Sequence, residues 1–340
     1  MASTMHDESL QTPAVLRRLL ASDEDLYASA GERLRREPPA VVATIGRGSS
    51  NHACGYAAYL LGALLGIPAA SLPPSLVTLY RSPLRLAGQL ALVVSQSGRS
   101  PDLVRSLEAC AAAGARTWAF VNDLASPVAA LAQTVFPLHA GEERSVAATK
   151  TFVATLAALA RLVGHWAGDA ELLAALAALP EVLEAAERVP ARPLVDALAG
   201  VDRMLVVGRG PSLGVALEAA LKLKEACGIQ AEAFSEAEMR HGPLALVGPG
   251  YPVLVLAPRG AVRAPLLALA DDARRAGARV VVMAAGAAAG ADLEVPAAAS
   301  AWLDPVVLIH AFHLAVEPLA AGRGRDPDRP PHVGKVTLTV

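Results

Sequence analysis

The chain of 340 residues is long enough for about two domains with sizeable cores. Its formal net charge of −2, without a basic block, argues against nucleic acid as a partner. The three cysteines, Cys54, Cys110 and Cys227, have neither metal-ligand spacing nor the even number of a disulfide framework, so we expect a reducing, cytoplasmic location.

The sequence gives no sign of membrane insertion. Its first residues, MASTMHDESLQ, are polar and lack the apolar core of a signal peptide. The longest apolar run, at 151–160, is too short to span a bilayer. We therefore expect no membrane partner.

Short apolar strands alternate with helices along the chain. A charged helical stretch at 16–36 comes first, a helical connection at 171–190 lies in the middle, and a further helix is predicted at 306–322. The predicted strands lie at 41–46, 90–95, 116–122, 204–208, 251–257 and 279–285. This alternation is typical of parallel sheets with helices on both faces.

The sequence repeats itself once. VVATIGRGSSNHACGYAAYLL at 41–61 resembles RMLVVGRGPSLGVALEAALKL at 203–223 with an offset of 162, and AGAR at 113–116 recurs at 276–279. A near-constant offset indicates two copies of one unit. The predicted parts are a helical segment at 1–34, a first domain at 35–166, a helical linker at 167–197, a second domain at 198–322 and a tail at 323–340.

Two loops of the first unit follow predicted strands and combine small residues with hydroxyls. They are GRGSSNHA at 46–53 and SQSGRS at 95–100. Ligands of open α/β sheets bind beyond the carboxyl ends of strands, and backbone amides with hydroxyls suit a dianionic phosphate. Either loop alone is equally consistent with helix capping, but together the two loops favour a phosphate pocket. The second unit has APRG at 257–260 in place of SQSG, so we expect one phosphate pocket per chain.

The second unit instead carries charged residues with helical spacing. Glu218, Lys222 and Glu225 fall at i, i+4 and i+7 on one helix face, which is consistent with a solvated salt-bridge face or with the border of a cleft. Arginine carries nearly all of the positive charge, and the only lysines are Lys150, Lys222, Lys224 and Lys335. A position that keeps lysine is a candidate for a role that needs an amine.

Three histidines are candidates for a functional role. His241 precedes a Gly-Pro turn, where a structural role and a catalytic one are both open. His310 and His313 lie in an apolar helix without a third metal ligand at suitable spacing, so we expect them in the core or in an interface.

Five motifs, taken together, carry a resemblance to a known family. The segments SQSGRSPD, SVAATKTF (145–152), ALKLKE, AEAFSEAEMRHGP and DPDRPPHVGKVTLT resemble those of the double sugar-isomerase (SIS) domain proteins. That family includes the isomerase half of glucosamine-6-phosphate synthase and the SIS-type glucosamine-6-phosphate deaminases. The resemblance implies two tandem flavodoxin-like three-layer α/β/α domains with parallel sheets, and usually a homodimer.

The resemblance also implies roles for particular residues. The phosphate is held by Ser49, Ser50, Ser95, Gln96, Ser97, Ser100 and Val146. Glu225 is the base that moves a proton between C1 and C2, and His241 assists ring opening, often from the partner subunit. Lys222 and Lys335 line the reacting carbons. The synthases carry SQSGET where this chain has SQSGRS, which places Arg99 beside the pocket.

We therefore expect an aldose–ketose isomerase that deaminates a phosphorylated amino sugar, D-glucosamine 6-phosphate, to D-fructose 6-phosphate and ammonia. The chemistry is proton transfer and imine hydrolysis, for which no metal or redox cofactor is expected. Only the residues before position 41 precede the first unit, so no glutaminase domain is expected. The alternatives are glucosamine-6-phosphate synthesis, deamination of galactosamine 6-phosphate, deglycation of a fructosamine 6-phosphate, and a phosphosugar sensor that binds without turnover.

Overall fold

Two five-stranded parallel sheets form the centre of the chain, which a computed structural model describes over residues 3–335. The strands of the first sheet are β1 Val42–Ile45, β2 Ala69–Ser71, β3 Leu90–Ser95, β4 Arg116–Val121 and β5 Thr134–Pro137. Those of the second are β6 Arg203–Gly208, β7 Gln230–Ser235, β8 Pro252–Ala257, β9 Arg279–Ala285 and β10 Leu293–Val295. Both sheets have the same order, β2-β1-β3-β4-β5 and β7-β6-β8-β9-β10, which is the flavodoxin-like order. The predicted fold class is confirmed.

Helices cover the sheets and connect them. The N-terminal helices are α1 Thr4–Leu10, α2 Thr12–Ala21 and α3 Glu24–Arg36. The first unit contains α4 Gly48–Leu65, α5 Ser75–Thr78, α6 Pro101–Ala112, α7 Pro127–Leu131 and α8 Lys150–Ala167. The connection consists of α9 Ala170–Ala177, α10 Leu179–Ala186 and α11 Arg192–Leu198. The second unit contains α12 Ser212–Glu225, α13 Glu236–Met239, α14 Arg263–Arg275 and α15 Asp304–Gly322.

The six predicted strands are confirmed, and they are the three central strands of each sheet. The sequence analysis missed β2, β5, β7 and β10, all of which lie at a sheet edge. A strand at the end of a sheet has a neighbouring strand along one edge only. Its other edge is open to solvent, so it needs no continuous apolar run. The exposed residues in Ala69–Ser71 and the alternating polar residues of Gln230–Ser235 illustrate why the apolar signal is weak there.

A longer apolar helix than the predicted one runs through the core. By length and composition, the segment Ala301–Gly322 is apolar enough to cross a membrane. However, 78% of its most apolar stretch of 18 residues is buried inside the protein. The prediction that the longest apolar run lies at 151–160 is therefore wrong. Asp304, His310, His313 and Glu317 interrupt the apolar sequence of this helix, so its length is not apparent from continuous apolar runs.

The two units meet where α4 packs against α12. Gly214 of α12 faces α4 so closely that a Cβ atom there would lie 2.6 Å from the carbonyl oxygen of His52 and 3.0 Å from the amide of Tyr56. Gly55 of α4 is opposite, with the Cα of Gly214 at 3.9 Å from the position of its Cβ. The absence of a side chain at Gly214 therefore sets the distance between the two helices.

Substitution of Gly214 by alanine should push α4 and α12 apart. We expect Gly214→Ala to lower the free energy of unfolding by about 1–3 kcal/mol, the usual cost of overpacking a close contact. The matched variant Gly55→Ala meets only ordinary contacts and should be neutral or stabilising by up to about 1 kcal/mol, because alanine favours a helix over glycine. Urea unfolding of both variants checks this, and equal stabilities would contradict the assigned contact.

Candidate functional site

The first unit brings its two hydroxyl-rich loops together at one edge of the sheet. Strands β1 and β3 are parallel neighbours, and the strand order reverses between them. Such a switch point leaves a crevice beyond the carboxyl ends of the strands. Nε of Arg47, in the loop after β1, donates to Oδ2 of the fully buried Asp102 at 2.9 Å in the first turn of α6. This ion pair links the two loops.

The loop after β3 has an internally fixed turn. Its glycine, Gly98, has φ of +60°, and a Cβ there would lie 2.2 Å from the hydroxyl oxygen of Ser126. The buried hydroxyl of Ser95 accepts a hydrogen bond from the Gly98 amide at 3.0 Å. Ser95 therefore shapes the turn itself.

The other predicted phosphate-binding residues of the two loops are partly accessible. They are Ser49, Ser50, Gln96, Ser97 and Ser100. Ser97 accepts a hydrogen bond from the Arg99 amide at 3.4 Å, and Ser100 immediately precedes α6. The guanidinium of Arg99, expected beside the pocket, instead pairs with Asp123 after β4 at 2.7 Å.

The charged face of α12 is buried against the first turn of α4. Lys222 donates hydrogen bonds to Oε2 of Glu225 at 2.7 Å and to Oγ of Ser49 at 3.4 Å, and its Nζ lies 3.1 Å from Oε1 of Glu218. The side chains of Glu218 and Lys222 are 0% and 1% exposed. The alternative of a solvated salt-bridge face is therefore wrong, because both charges lie inside the protein.

Two residues of α4 complete the hydrogen bonds of Glu218. The Ser49 hydroxyl donates to Oε1 at 2.8 Å, and Nδ1 of His52 lies 2.9 Å from Oε2. The sequence analysis did not single out His52, although it lies three residues after Ser49 on the same helix turn. Ser49 belongs to the segment 46–53, the first of the two predicted phosphate loops. It thus connects that loop of the first unit to the charged face of α12 in the second unit.

The buried charges stabilise one another. Burial alone raises the pKa of the Glu218 carboxyl, but the charge of Lys222 and the hydrogen bond to His52 outweigh it and lower that pKa to about 2. Burial also opposes the charge of Lys222, yet Glu218 and Glu225 raise its pKa above the ordinary value. Lys222 is therefore a permanent cation in contact with Glu225.

Glu225 lies at the accessible end of this network. Its side chain is 17% exposed at the last residue of α12. Oε2 accepts from Lys222, whereas Oε1 has no hydrogen-bond partner within residues 3–335. A carboxylate with one oxygen held by a cation and the other oxygen free can accept a proton from a bound molecule.

Lys335 folds back onto the first unit. Its ammonium donates to Oε2 of Glu143 at 3.0 Å and to the carbonyl of Ser145 at 2.7 Å. Glu143 is buried and accepts hydrogen bonds from the amides of Thr149 and Thr151 at the start of α8. The loop at 142–149 also carries Val146, so two predicted site residues, Val146 and Lys335, come together there.

The described contacts of Lys335 do not include Glu225 or Lys222. The hypothesis that Lys335 lines the reacting carbons therefore stays a prediction. The segment VTLTV, expected to dock as an extended tail at 336–340, lies outside the described residues.

Within residues 3–335, His241 shares no hydrogen bond or ion pair with the charged residues of α12 or with the loop at 142–149. It is exposed after α13, and its amide donates to the carbonyl of Glu238 at 2.9 Å. Its side chain makes no hydrogen bond or ion pair within residues 3–335. Over the same residues, no group of three or more His, Cys, Asp or Glu side chains is placed to hold a metal ion.

His310 and His313 are core residues, as predicted. They are 0% and 1% exposed; the ring nitrogens of His313 have no hydrogen-bond partner in the described part of the chain, and Nε2 of His310 lies 3.4 Å from Oε1 of Glu187. The ring of His313 meets Phe152 edge to face, with 6.2 Å between centroids. Burial lowers the pKa of His313 to about 3, while Glu218 on α12 acts in the opposite direction and Lys222 adds to the lowering.

Comparison with known proteins gives consistent matches over most of the chain. A family model described as the SIS domain matches residues 40–163 and again 197–291. A glutamine–fructose-6-phosphate aminotransferase (isomerizing) from Methanothermobacter thermautotrophicus is 35% identical over 303 residues, which are 85% of this chain and 50% of that protein. The chain spans about half the length of the curated relatives it matches.

Two solved structures superpose on nearly the whole chain. A protein from Silicibacter pomeroyi DSS-3, provisionally assigned as a phosphosugar isomerase, is 43% identical with a TM-score of 0.90, covering 96% of this chain and 100% of its own. The C-terminal domain of glucosamine-fructose-6-phosphate aminotransferase from Francisella tularensis is 23% identical with a TM-score of 0.87, covering 97% and 99%. At that identity, the second match shows the fold alone.

The buried His313 predicts a pH dependence of stability. Its pKa in the folded state, about 3, is below the ordinary value of about 6.5, so the unfolded chain binds the extra proton first as pH falls. Stability should therefore decrease as the pH falls below about 6.5. We expect His313→Leu to flatten that decrease in urea unfolding between about pH 6.5 and 4.5, above the range where carboxylates titrate.

The control His332→Gln removes an exposed histidine and should keep the wild-type slope. An unchanged slope in His313→Leu would contradict the assignment of His313 as a neutral core residue.

Proposed function

The chain belongs to the SIS domain family, and from this premise we propose that it is an enzyme that isomerises a phosphosugar. The finer proposal is deamination of D-glucosamine 6-phosphate to D-fructose 6-phosphate and ammonia. The observation that carries the proposal is the network in which Lys222 bridges Glu218 and Glu225 and also contacts Ser49 of the phosphate loop. This network supports the proposal because Lys222 connects Glu225, the predicted base, to Ser49 of the predicted phosphate-binding residues.

The phosphate would bind at the crevice between the loops after β1 and β3. Ser97 and Ser100 offer hydroxyls there, and Ser49 and Ser50 lie in the first turn of α4. Amides at the start of a helix of this length also favour an anion. The phosphate would therefore fix the sugar with its reacting end toward α12, which delivers Glu225.

Proton transfer would then take place between two adjacent carbons. With the ring open, Glu225 removes the proton from C2, and the electron pair of that C–H bond forms the C1–C2 double bond. The C1 carbonyl oxygen takes a proton from water and becomes a hydroxyl. Return of the proton to C1 gives a ketose-type imine at C2. Water adds to this imine, and the C2–N bond breaks to release ammonia. The cation of Lys222 stabilises the negative charge that develops during the transfer.

His241 would open the sugar ring from a second copy of the chain. Its exposure and its lack of side-chain partners in residues 3–335 fit a group that acts across a subunit interface. We therefore propose a homodimer with shared sites. The free, buried thiols of Cys54, Cys110 and Cys227 support a cytoplasmic location.

The competing functions differ in the substrate or in turnover. The relatives named as aminotransferases favour the amination direction, whereas galactosamine 6-phosphate or a fructosamine 6-phosphate would use the same proton transfer. A sensor would have no use for a buried ion pair that holds Glu225 beside the phosphate loop. Buried charges are costly to retain without a role.

A substrate panel tests the proposed activity. We expect ammonia release from D-glucosamine 6-phosphate to exceed release from galactosamine 6-phosphate and from a fructosamine 6-phosphate, measured with a coupled ammonia assay. Fructose 6-phosphate formed in equal amount identifies the second product. Isomerisation without ammonia would retain the family reaction and reject deamination, and saturable binding without turnover of any sugar would identify a sensor.

Lys335 provides a separate test of the tail. Lys335→Arg keeps the positive charge that pairs with Glu143, but a guanidinium stays protonated at neutral pH and cannot act as a nucleophile or a base. We expect loss of most activity with little change in melting temperature. Lys224→Arg, at an exposed lysine of α12, is the matched control and should keep full activity. Full turnover by Lys335→Arg would mean that Lys335 only anchors the tail.

A further inference from the structure

A cavity of about 490 Å³ lies at the second unit, at the counterpart of the phosphate crevice. It opens beyond the carboxyl ends of β6 and β8, which are parallel neighbours at the second switch point. Gly210 and Gly260 line it, and they correspond through the repeat offset of 162 to Gly48 and Gly98 of the first unit. The volume is in the range of small-molecule sites.

The described residues that line this cavity include no aspartate, glutamate, histidine or lysine. In the first site α12 supplies Glu218, Lys222 and Glu225, and in the second site α4 takes the place of α12. The residues of α4 at the same offset are Tyr56, Leu60 and Ala63. Ala63 and the neighbouring Tyr59 line the cavity. Within residues 3–335, this lining therefore lacks the carboxylates and the lysine that α12 offers at the first site.

Guanidinium groups take the place of the lost hydroxyls. Arg259 stands where the first unit has Ser97, and its Nε and Nη2 bind the two oxygens of the fully buried Asp304 at 2.8 and 2.9 Å. Nη1 of Arg259 has no hydrogen-bond partner within residues 3–335. The amides of Gly210 and Gly260, at φ of +59° and +89°, are likewise without a partner there. Arg259 is thus an oriented donor with one nitrogen to spare, and it is among the residues that line the cavity.

A second arginine borders the same space. Arg209 pairs with Glu236, and Glu236 is also bound by Arg240, which has Asp272 as a second partner. Arg209 and Arg259 therefore place two guanidinium groups in the lining of the cavity. Guanidinium groups bind phosphate through charge-assisted hydrogen bonds, which favours a ligand with an anionic group.

The remaining wall is apolar and aromatic. Tyr59 is 39% exposed, and Trp302 is half-buried beside Val262. The hydroxyl of Tyr56 donates to the carbonyl of Trp302 at 3.0 Å, which fixes the Trp302 backbone against α4. Among the described residues that line the cavity, Ser235 is the only serine. Such a wall suits a flat ring better than an open-chain sugar.

We propose that this cavity is a second, non-catalytic site that binds a phosphate monoester carrying an aromatic group. The phosphate would contact Arg209, Arg259 and the amides of Gly210 and Gly260, and the ring would pack on Tyr59 and Trp302. The proposal does not depend on the reaction catalysed at the first unit, because it concerns binding at a different switch point.

Calorimetric titration of the full chain with phenyl phosphate tests the proposal, with adenosine 5′-monophosphate as a larger ring and inorganic phosphate as the ringless control. We expect one binding event that survives in Ser95→Ala/Ser97→Ala, where the first phosphate loop is impaired. Inorganic phosphate should bind at least about ten-fold more weakly than phenyl phosphate. Preference between the two aromatic probes identifies the ring size that the cavity takes.

Two variants locate the event. Ala63→Phe fills the cavity from an exposed position of α4 and should abolish binding. Arg209→Gln leaves Glu236 paired with Arg240 and should weaken binding about ten-fold or more, the loss of one charged hydrogen bond. Binding that is lost in Ser95→Ala/Ser97→Ala but kept in both cavity variants overturns the proposal, as does the absence of binding to the wild-type chain.

Discussion

The burial of Lys222 between Glu218 and Glu225 is the interaction on which the rest of the site depends. A buried cation must keep its carboxylate partners, because removal of one partner of such a pair typically costs about 3–5 kcal/mol. The carboxylates in turn hold Ser49 and His52 of α4, and the close approach of α4 to α12 at Gly214 makes these contacts possible. One buried network therefore fixes the position of Glu225 relative to the phosphate loop.

The two repeated units differ in this network. Both units have the same strand order and the same glycine-bearing loops at the switch point, so the fold alone cannot account for the difference between them. The first crevice faces the charged residues of α12, whereas the second faces Tyr59 and Ala63 of α4. The residues proposed for catalysis therefore face only the first of two similar crevices, and the second is the one proposed to bind without turnover.

The central strands of both sheets and the charged face of α12 could be predicted because they leave a strong pattern in the sequence. The central strands are continuous apolar runs, and the i, i+4, i+7 spacing placed Glu218, Lys222 and Glu225 on one face. The edge strands carry no such run. The ion pairs Arg47–Asp102 and Lys335–Glu143 join residues 55 and 192 positions apart, so no local spacing in the sequence predicts them. His52 and Glu143 were missed for the same reason, since their partners come from other elements.

Solvent hydrogen exchange tests the central claim, that Glu225 moves the proton between C1 and C2. The enzyme is incubated in deuterium oxide with D-glucosamine 6-phosphate and with D-fructose 6-phosphate, and deuterium at C1 and C2 is measured by NMR. Glu225→Gln should bind the sugar and lose the exchange, while Glu232→Gln, at an exposed glutamate of β7, should exchange like the wild type. Deuterium incorporation by Glu225→Gln at a near wild-type rate would contradict the account.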